Sequence, residues 1–424
     1  MRTSLSIAFL AMLSLPFAPK ATAQSSGTSS SIRDSELQLV VMLSRHGVRS
    51  PLGTPGGNDQ YSTAPWPQWE VPPGIQTEHG NQLIRLFGAW DRTKFSSQHL
   101  FAPSGCADAA QVTIVADNDQ RTRETGKALG DGMFPGCGIA VHSQPDGVRD
   151  TLFRPTESGA VRANESVESA AALGRVGGDL RNLTDVYRSQ LTLLDHVLSG
   201  CGHLPPNPKR ISLLDLPNAV RAPAATIAEN LLLEYTQGMS QADTGWGCLD
   251  GATLRTVMQI DSAAWDIGFR TPAIARTYAS TLLDRILKTM QQGVTGTAIP
   301  GAIGKPGQRL VIVVGHDTNI ATVAGALHID WALDGRFDDT PPGGELLFEL
   351  WRPRGGGQPY VRMEYTAQTL EQMRNATTLT PANPPGAAPI FLPGCGRADL
   401  SCTWDGFSAA VRASIDPAYV AKQP

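Results

Sequence analysis

Three short apolar runs, at 37–43, 112–116 and 310–314, most constrain how this 424-residue chain can fold. Each is rich in branched apolar residues and lacks a helical period, which suits a strand buried on both faces. Helical patterns lie between and after them, at 78–94, 160–198, 223–237, 253–269, 273–291 and 318–327. Strands alternating with helices indicate an α/β sheet. Two later runs, 345–351 and 360–365, are joined by the Gly-rich stretch 354–357 and predict a hairpin that returns the chain to the sheet.

The stretch 156–269 differs from the rest, because it holds helical patterns and no convincing strand, with a Pro-rich break at 204–209 between two helical groups. The expected organisation is therefore a leader at 1–23, a flexible spacer at 24–35, an α/β domain built from 36–155 and 270–424, and a smaller α-helical domain inserted at 156–269. The leader is read from Arg2, the apolar stretch 5–17 and the small-x-small cleavage pattern Ala21-Thr22-Ala23. Its apolar part is shorter than the roughly 20 residues that span a bilayer, so it reads as an export signal and not an anchor.

Charge and cysteine content agree with export. The whole chain has 35 basic and 39 acidic residues; cleavage after Ala23 removes Arg2 and Lys20 but no acid, leaving 33 and 39 and a net charge of −6. Nothing in that balance favours nucleic acid or an anionic membrane as a partner, so any basic site must be local. All six cysteines follow the leader, and an even number in an exported chain favours disulfides. Proximity pairs Cys395 with Cys402 and Cys106 with Cys137, which leaves Cys201 for Cys248.

Chemistry concentrates just past the three strand-like runs, where an open α/β sheet binds its ligands. After the first stands Arg45-His46-Gly47-Val48-Arg49-Ser50-Pro51. Two guanidiniums can hold a tetrahedral dianion and also disfavour an imidazolium, which keeps His46 neutral and nucleophilic in mild acid. The alternative is a solvated basic loop. After the third run comes Gly315-His316-Asp317-Thr318-Asn319, opening a helix. Asp317 or Thr318 could simply cap that helix; alternatively His316 contacts an anion at the helix N-terminus and Asp317 donates a proton to a leaving oxygen. Past the second run lies Asp117-Asn118-Asp119-Gln120-Arg121-Thr122-Arg123, in which either Arg121 or Arg123 could supply a further phosphate contact. No Cys-x5-Arg loop, GxGxxG, GxxxxGK[ST] or GxSxG is present, and no clustered metal-ligand spacing occurs.

The first motif resembles the RHGxRxP signature of the histidine acid phosphatases, and His316-Asp317 resembles their distal HD motif. Similarity extends through 116–126, Gln237-Gly238-Met239, Gly245-Trp246-Gly247 and 340–346, and points to the bacterial periplasmic branch that contains phytases and glucose-1-phosphatases. The resemblance implies an α/β phosphatase domain with a smaller α domain and a site in the cleft between them. It implies that His46 attacks phosphorus, that Arg45, Arg49, Arg121 and His316 hold the phosphoryl oxygens, and that Asp317 protonates the leaving alcohol. No cofactor or metal is implied, and the partner is a small phosphate monoester acted on by a monomer. Glu229 matches an acidic residue on the substrate-side helix of phytases, or is an exposed helix residue. Substrate signals divide: Thr318 resembles the phytases, whereas Leu52-Gly53 stands where they carry Thr-Lys, and Leu52 with Trp66-Pro67-Gln68-Trp69 looks closer to the glucose-1-phosphatases. Phytate is the leading expected substrate, with glucose 1-phosphate or general phosphomonoesters as alternatives. A non-catalytic inositol-phosphate or sugar-phosphate binding protein on the same scaffold is the rival of another class.

Overall fold

The structure is a computed structural model that describes residues 34–53 and 56–422. The expected leader and nearly all of the spacer lie outside the described residues. Among the described residues there are ten strands: β1 (Ser35–Arg45), β2 (Val112–Ala116), β3 (Val141–His142), β4 (Leu310–Gly315), β5 (Ala332–Leu333), β6 (Arg336–Phe337), β7 (Glu345–Pro353), β8 (Tyr360–Ala367), β9 (Gly386–Ile390) and β10 (Ser401–Thr403). Eleven α-helices accompany them: α1 (Glu78–Ser97), α2 (Gln120–Met133), α3 (Glu165–Arg175), α4 (Leu180–Val186), α5 (Arg188–Leu198), α6 (Ala225–Thr236), α7 (Gly251–Gly268), α8 (Pro272–Thr295), α9 (Asp317–Leu327), α10 (Leu370–Arg374) and α11 (Trp404–Ser414).

Eight strands form one sheet in the order β10-β8-β7-β1-β4-β2-β3, with β9 paired to β8. β1, β4, β2 and β3 run parallel, while β7 and β8 form the expected hairpin and join β1 antiparallel. Both sheet faces are covered, which explains why the strand sequences read as apolar runs without alternation. Leu39, Val41 and Leu43 of β1 and Val311 and Val313 of β4 enter a core shared with α8, α9 and α11. Val40 and Met42, with Leu310, Ile312 and Val314, enter the opposite core, shared with α1 and α2. Each such fully buried side chain contributes about 1.5–3 kcal/mol of transfer free energy, so these central strands form a rigid base for whatever follows their ends.

Register then decides which loops meet. Arg45 lies opposite Gly315, and Ala116 lies opposite Val314. The chain therefore leaves β1, β2 and β4 side by side, and His46, Asp117 and His316 emerge as neighbours although up to 270 positions separate them in sequence.

Residues 156–269 hold helices and no strand, and α5, α6 and α7 share a core of their own that reaches Val48 and Leu83 beside the sheet. One expectation needs correction here. The helical pattern over 160–198 is three helices: Gly177 and Gly178 adopt φ of 69° and 83°, a left-handed conformation that ends α3, and Tyr187, with non-helical φ of −98° and ψ of 22°, separates α4 from α5. The disulfides are Cys106–Cys137, Cys201–Cys248 and Cys395–Cys402, the pairing that proximity predicts.

Candidate active site

Arg45 is the last residue of β1, and the chain turns immediately through His46 and Gly47. Gly47 is required by close packing: a Cβ would stand 2.9 Å from Ile84 Cγ1 and 3.1 Å from Gln76 Oε1. Its N–H donates to Thr125 Oγ1 at 2.8 Å, which ties the loop to α2. His46 is buried, and its Nδ1 lies 2.9 Å from Gly47 O. A carbonyl only accepts, so Nδ1 carries the proton and a neutral ring keeps its lone pair on Nε2. Burial, then Arg45, Arg121 and Arg49, holds the His46 pKa well below the ordinary imidazole value. The sequence expectation of a neutral imidazole thus has a geometric cause.

The arginines are each held by carboxylates. Arg45 Nη2 contacts Glu229 Oε1 at 2.6 Å and Asp317 Oδ2 at 2.8 Å, while its Nη1 donates to Thr340 O at 2.5 Å. Arg49 Nη2 donates to the same Glu229 oxygen at 2.9 Å. Glu229, carried by α6, is therefore a half-buried partner of both signature arginines and not an exposed helix residue. Arg121, at the start of α2, pairs with Asp119 Oδ2 at 2.6 Å and lines the same cavity as His46. Arg123 pairs instead with Asp146, so of the two it is Arg121 that lines the cavity.

At the end of β4, His316 is the N-cap residue of α9, and its N–H donates to Asn319 Oδ1 at 2.9 Å. Asp317 occupies the first helical position, so neither Asp317 nor Thr318 is the cap. A carboxylate there is favoured by the helix dipole. Burial works against the charge of Asp317, yet Arg45 foremost, with His316 and Arg49, draws its pKa below the usual carboxylate range. The His316 ring stands edge-on to that of His46, with centroids 5.6 Å apart. Its Nε2 contacts Asp117 Oδ2 at 2.7 Å and so carries a proton, since an ionised carboxylate only accepts. Thr318 completes this wall of the cavity.

The cavity has a volume of about 430 Å³ and also receives Leu52, Trp265, Phe269, Tyr278 and Arg154. Arg154 escapes the sequence reading because it follows no strand directly, standing in the long connection between β3 and α3. Asp117, Asp119 and His316 bring three potential metal-ligand atoms within 4.8 Å of one another. The Arg154 guanidinium contacts all three, at 2.7, 2.5 and 3.1 Å. A nucleophilic imidazole nitrogen, a carboxyl group and a set of guanidiniums thus face one space, an arrangement suited to transfer of a small tetrahedral anion.

The family model of the histidine phosphatase superfamily (branch 2) matches residues 36–195 and 235–366. The chain belongs to that superfamily and is a phosphatase. Among curated proteins it is 32% identical to phytase AppA of Escherichia coli, over 97% of this chain and 98% of that one. It is 28% identical to the glucose-1-phosphatase of Salmonella typhimurium, over 85% and 88%. Among solved structures, Hafnia alvei phytase in complex with myo-inositol hexakis sulphate superposes with a TM-score of 0.80 at 33% identity, covering 92% of this chain and 99% of that one.

Proposed function

We propose that the protein is an exported, monomeric acid phosphomonoesterase that works through a phosphohistidine on His46, with phytate as its leading substrate. The carrying observation is the lone pair on His46 Nε2 in one cavity with Asp317 and the guanidiniums of Arg49 and Arg121. In this reading Nε2 forms a bond to phosphorus as the ester P–O bond breaks, and the leaving oxygen takes the Asp317 proton. Arg45, Arg49, Arg121 and His316 hold the phosphoryl oxygens throughout. Water then attacks phosphorus, gives its proton to Asp317, and the P–N bond breaks to release phosphate and neutral His46. Residues 36–155 and 270–424 act as the catalytic domain, and the inserted domain at 156–269 contributes Glu229.

Asp317 is paired with Arg45 and ionised when the site is free, whereas the first step needs it protonated. An arriving phosphate dianion competes for Arg45 and repels the carboxylate, which favours proton uptake on binding. Turnover should therefore decline as pH rises through the Asp317 pKa of the bound state.

The phytate assignment is supported by the relatives called phytases and by the hexakis sulphate complex of one of them. A second reading, a preference for glucose 1-phosphate, is favoured by Leu52, which is 56% exposed at the cavity, followed by Gly53, which supplies no cation. Initial rates at acid pH on phytate, glucose 1-phosphate and p-nitrophenyl phosphate, with and without EDTA, test the proposal. The expected result is EDTA-insensitive phosphate release with the highest kcat/KM on phytate. Higher kcat/KM on glucose 1-phosphate would replace the substrate, and no release from any ester would leave a binding protein.

A further inference from the structure

Arg154 is the one guanidinium of the cavity that the motif resemblance does not assign, and it is bonded to the supports of two residues that the resemblance does assign. Its Nε donates to Asp117 Oδ2 at 2.7 Å and its Nη2 to Asp119 Oδ2 at 2.5 Å, while Nη1 reaches Glu157 Oε2 at 3.3 Å. Asp117 Oδ2 also accepts from His316 Nε2 at 2.7 Å, and Asp119 Oδ2 also pairs with Arg121 Nη2 at 2.6 Å. The contact of Arg154 Nη2 with His316 Nε2 at 3.1 Å brings two protonated nitrogens together, so it is repulsive and not a hydrogen bond. One planar fork therefore bridges two carboxylates, each of which holds a different anion-binding side chain.

We infer that Arg154 is a positioning residue that sets His316 through Asp117 and Arg121 through Asp119, so that both meet the phosphoryl group in a fixed orientation. This inference rests on the proposed phosphatase use of the cavity. A guanidinium suits the task because its donors span two carboxylates at once, whereas a lysine ammonium presents a single point charge. It also supplies the cation at the meeting point of Asp117, Asp119 and His316, where the donor spacing would suit a divalent ion. Asp117 is fully buried, so its charge must be neutralised locally. With Arg154 present, His316 can do its part as a neutral donor. Without it, Asp117 would draw a second proton onto His316 and make an imidazolium ion pair. The groups that bear on His316 are Asp117, Asp119, Arg121, Arg154, His46 and Asp317, and Arg154 is among those that hold its pKa down.

The test compares wild type, Arg154→Ala and Arg154→Lys by kinetics on p-nitrophenyl phosphate and by imidazole NMR titration of His316. Arg154→Ala should lose at least about tenfold in kcat/KM and titrate His316 at higher pH. Arg154→Lys should keep the His316 titration near that of wild type while still losing activity, because charge is retained and the fork is not. Activity of Arg154→Ala within threefold of wild type would overturn the inference. So would a large loss with an unmoved His316 titration, which would make Arg154 a scaffold tie alone. The titration reads out even if the wild type released no phosphate, so a failure of the phosphatase reading is distinguishable from a failure of this one.

Discussion

Two clusters of ionisable groups lie beside the same sheet and behave in opposite ways. In the site, Arg45, Arg49, Arg121 and Arg154 face Asp117, Asp119, Glu229 and Asp317, one cation to each carboxylate. Between α1 and the strands β7 and β8, Lys94 faces Asp91, Glu345, Glu349 and Glu364, contacting Glu364 at 2.6 Å and Glu349 at 3.8 Å, and Arg362 also bears on Glu349. Burial raises carboxyl pKa values in both places. In the site, hydrogen bonds from His316 and Arg154 overcome that effect for Asp117 and hold its carboxylate low. In the other cluster burial wins: Asp91 is pushed up to about 8, and Glu345 well above its ordinary value. For Asp117 and Asp91 the difference lies in the hydrogen-bonding cations each carboxyl meets, and not in burial alone.

The comparison can be broken at several points. The largest effect is expected from His46→Ala, which removes the nucleophile that burial and the guanidiniums of Arg45, Arg121 and Arg49 keep neutral. Initial-rate kinetics should show a loss of about 10⁴-fold or more, with the circular dichroism spectrum unchanged. Next is Arg45→Ala, which unpairs Asp317 and leaves Glu229 to Arg49 alone; a loss on the order of 10³-fold is expected, and near-normal turnover would remove Arg45 from the mechanism.

The second cluster should touch stability instead of turnover. Lys94→Met removes the cation that contacts Glu349 and Glu364, and denaturant unfolding at pH 7 should show a loss of about 3 kcal/mol, with kcat little changed. The smallest effect is that of Asp91→Asn. In the fold Asp91 keeps its proton to about pH 8, whereas the unfolded chain gives it up near pH 4, so its contribution to stability declines as pH rises between those values. The substitution should remove the part of the decline in stability between pH 4 and pH 7 that Asp91 causes. Asp117, held low, has the opposite sign: its contribution is present above the unfolded carboxylate pKa and is lost as pH falls further. If Asp91→Asn left the pH profile of stability unchanged, the stored-proton account of this cluster would be wrong.

What was legible in the sequence follows the same division. An apolar strand followed at once by charged residues is a local signal, so Arg45, His46, Arg49, His316 and Asp317 could be placed from the chain alone. Arg121 and Arg123 are two positions apart at the start of one helix, and only the direction of each side chain separates the cavity from Asp146. Arg154 and the Asp91–Glu345 cluster carry no local pattern, because their partners are supplied by other elements through sheet register and helix packing. Glu229 was suggested by motif resemblance, yet its contact with both signature arginines depends on how α6 docks beside β1. The break at Gly177–Gly178 was visible in composition, but the apolar periodicity on either side masked it.

The central claim is that burial and the arginine cluster keep His46 neutral so that it can bond to phosphorus. Rapid mixing with a radiolabelled phosphate ester, followed by an alkaline detergent quench and peptide mapping, tests it directly. The account predicts label on His46 approaching one equivalent, stable in alkali, lost in acid and absent from His46→Ala. Phosphate release without any label on His46, or label that persists in His46→Ala, would contradict it.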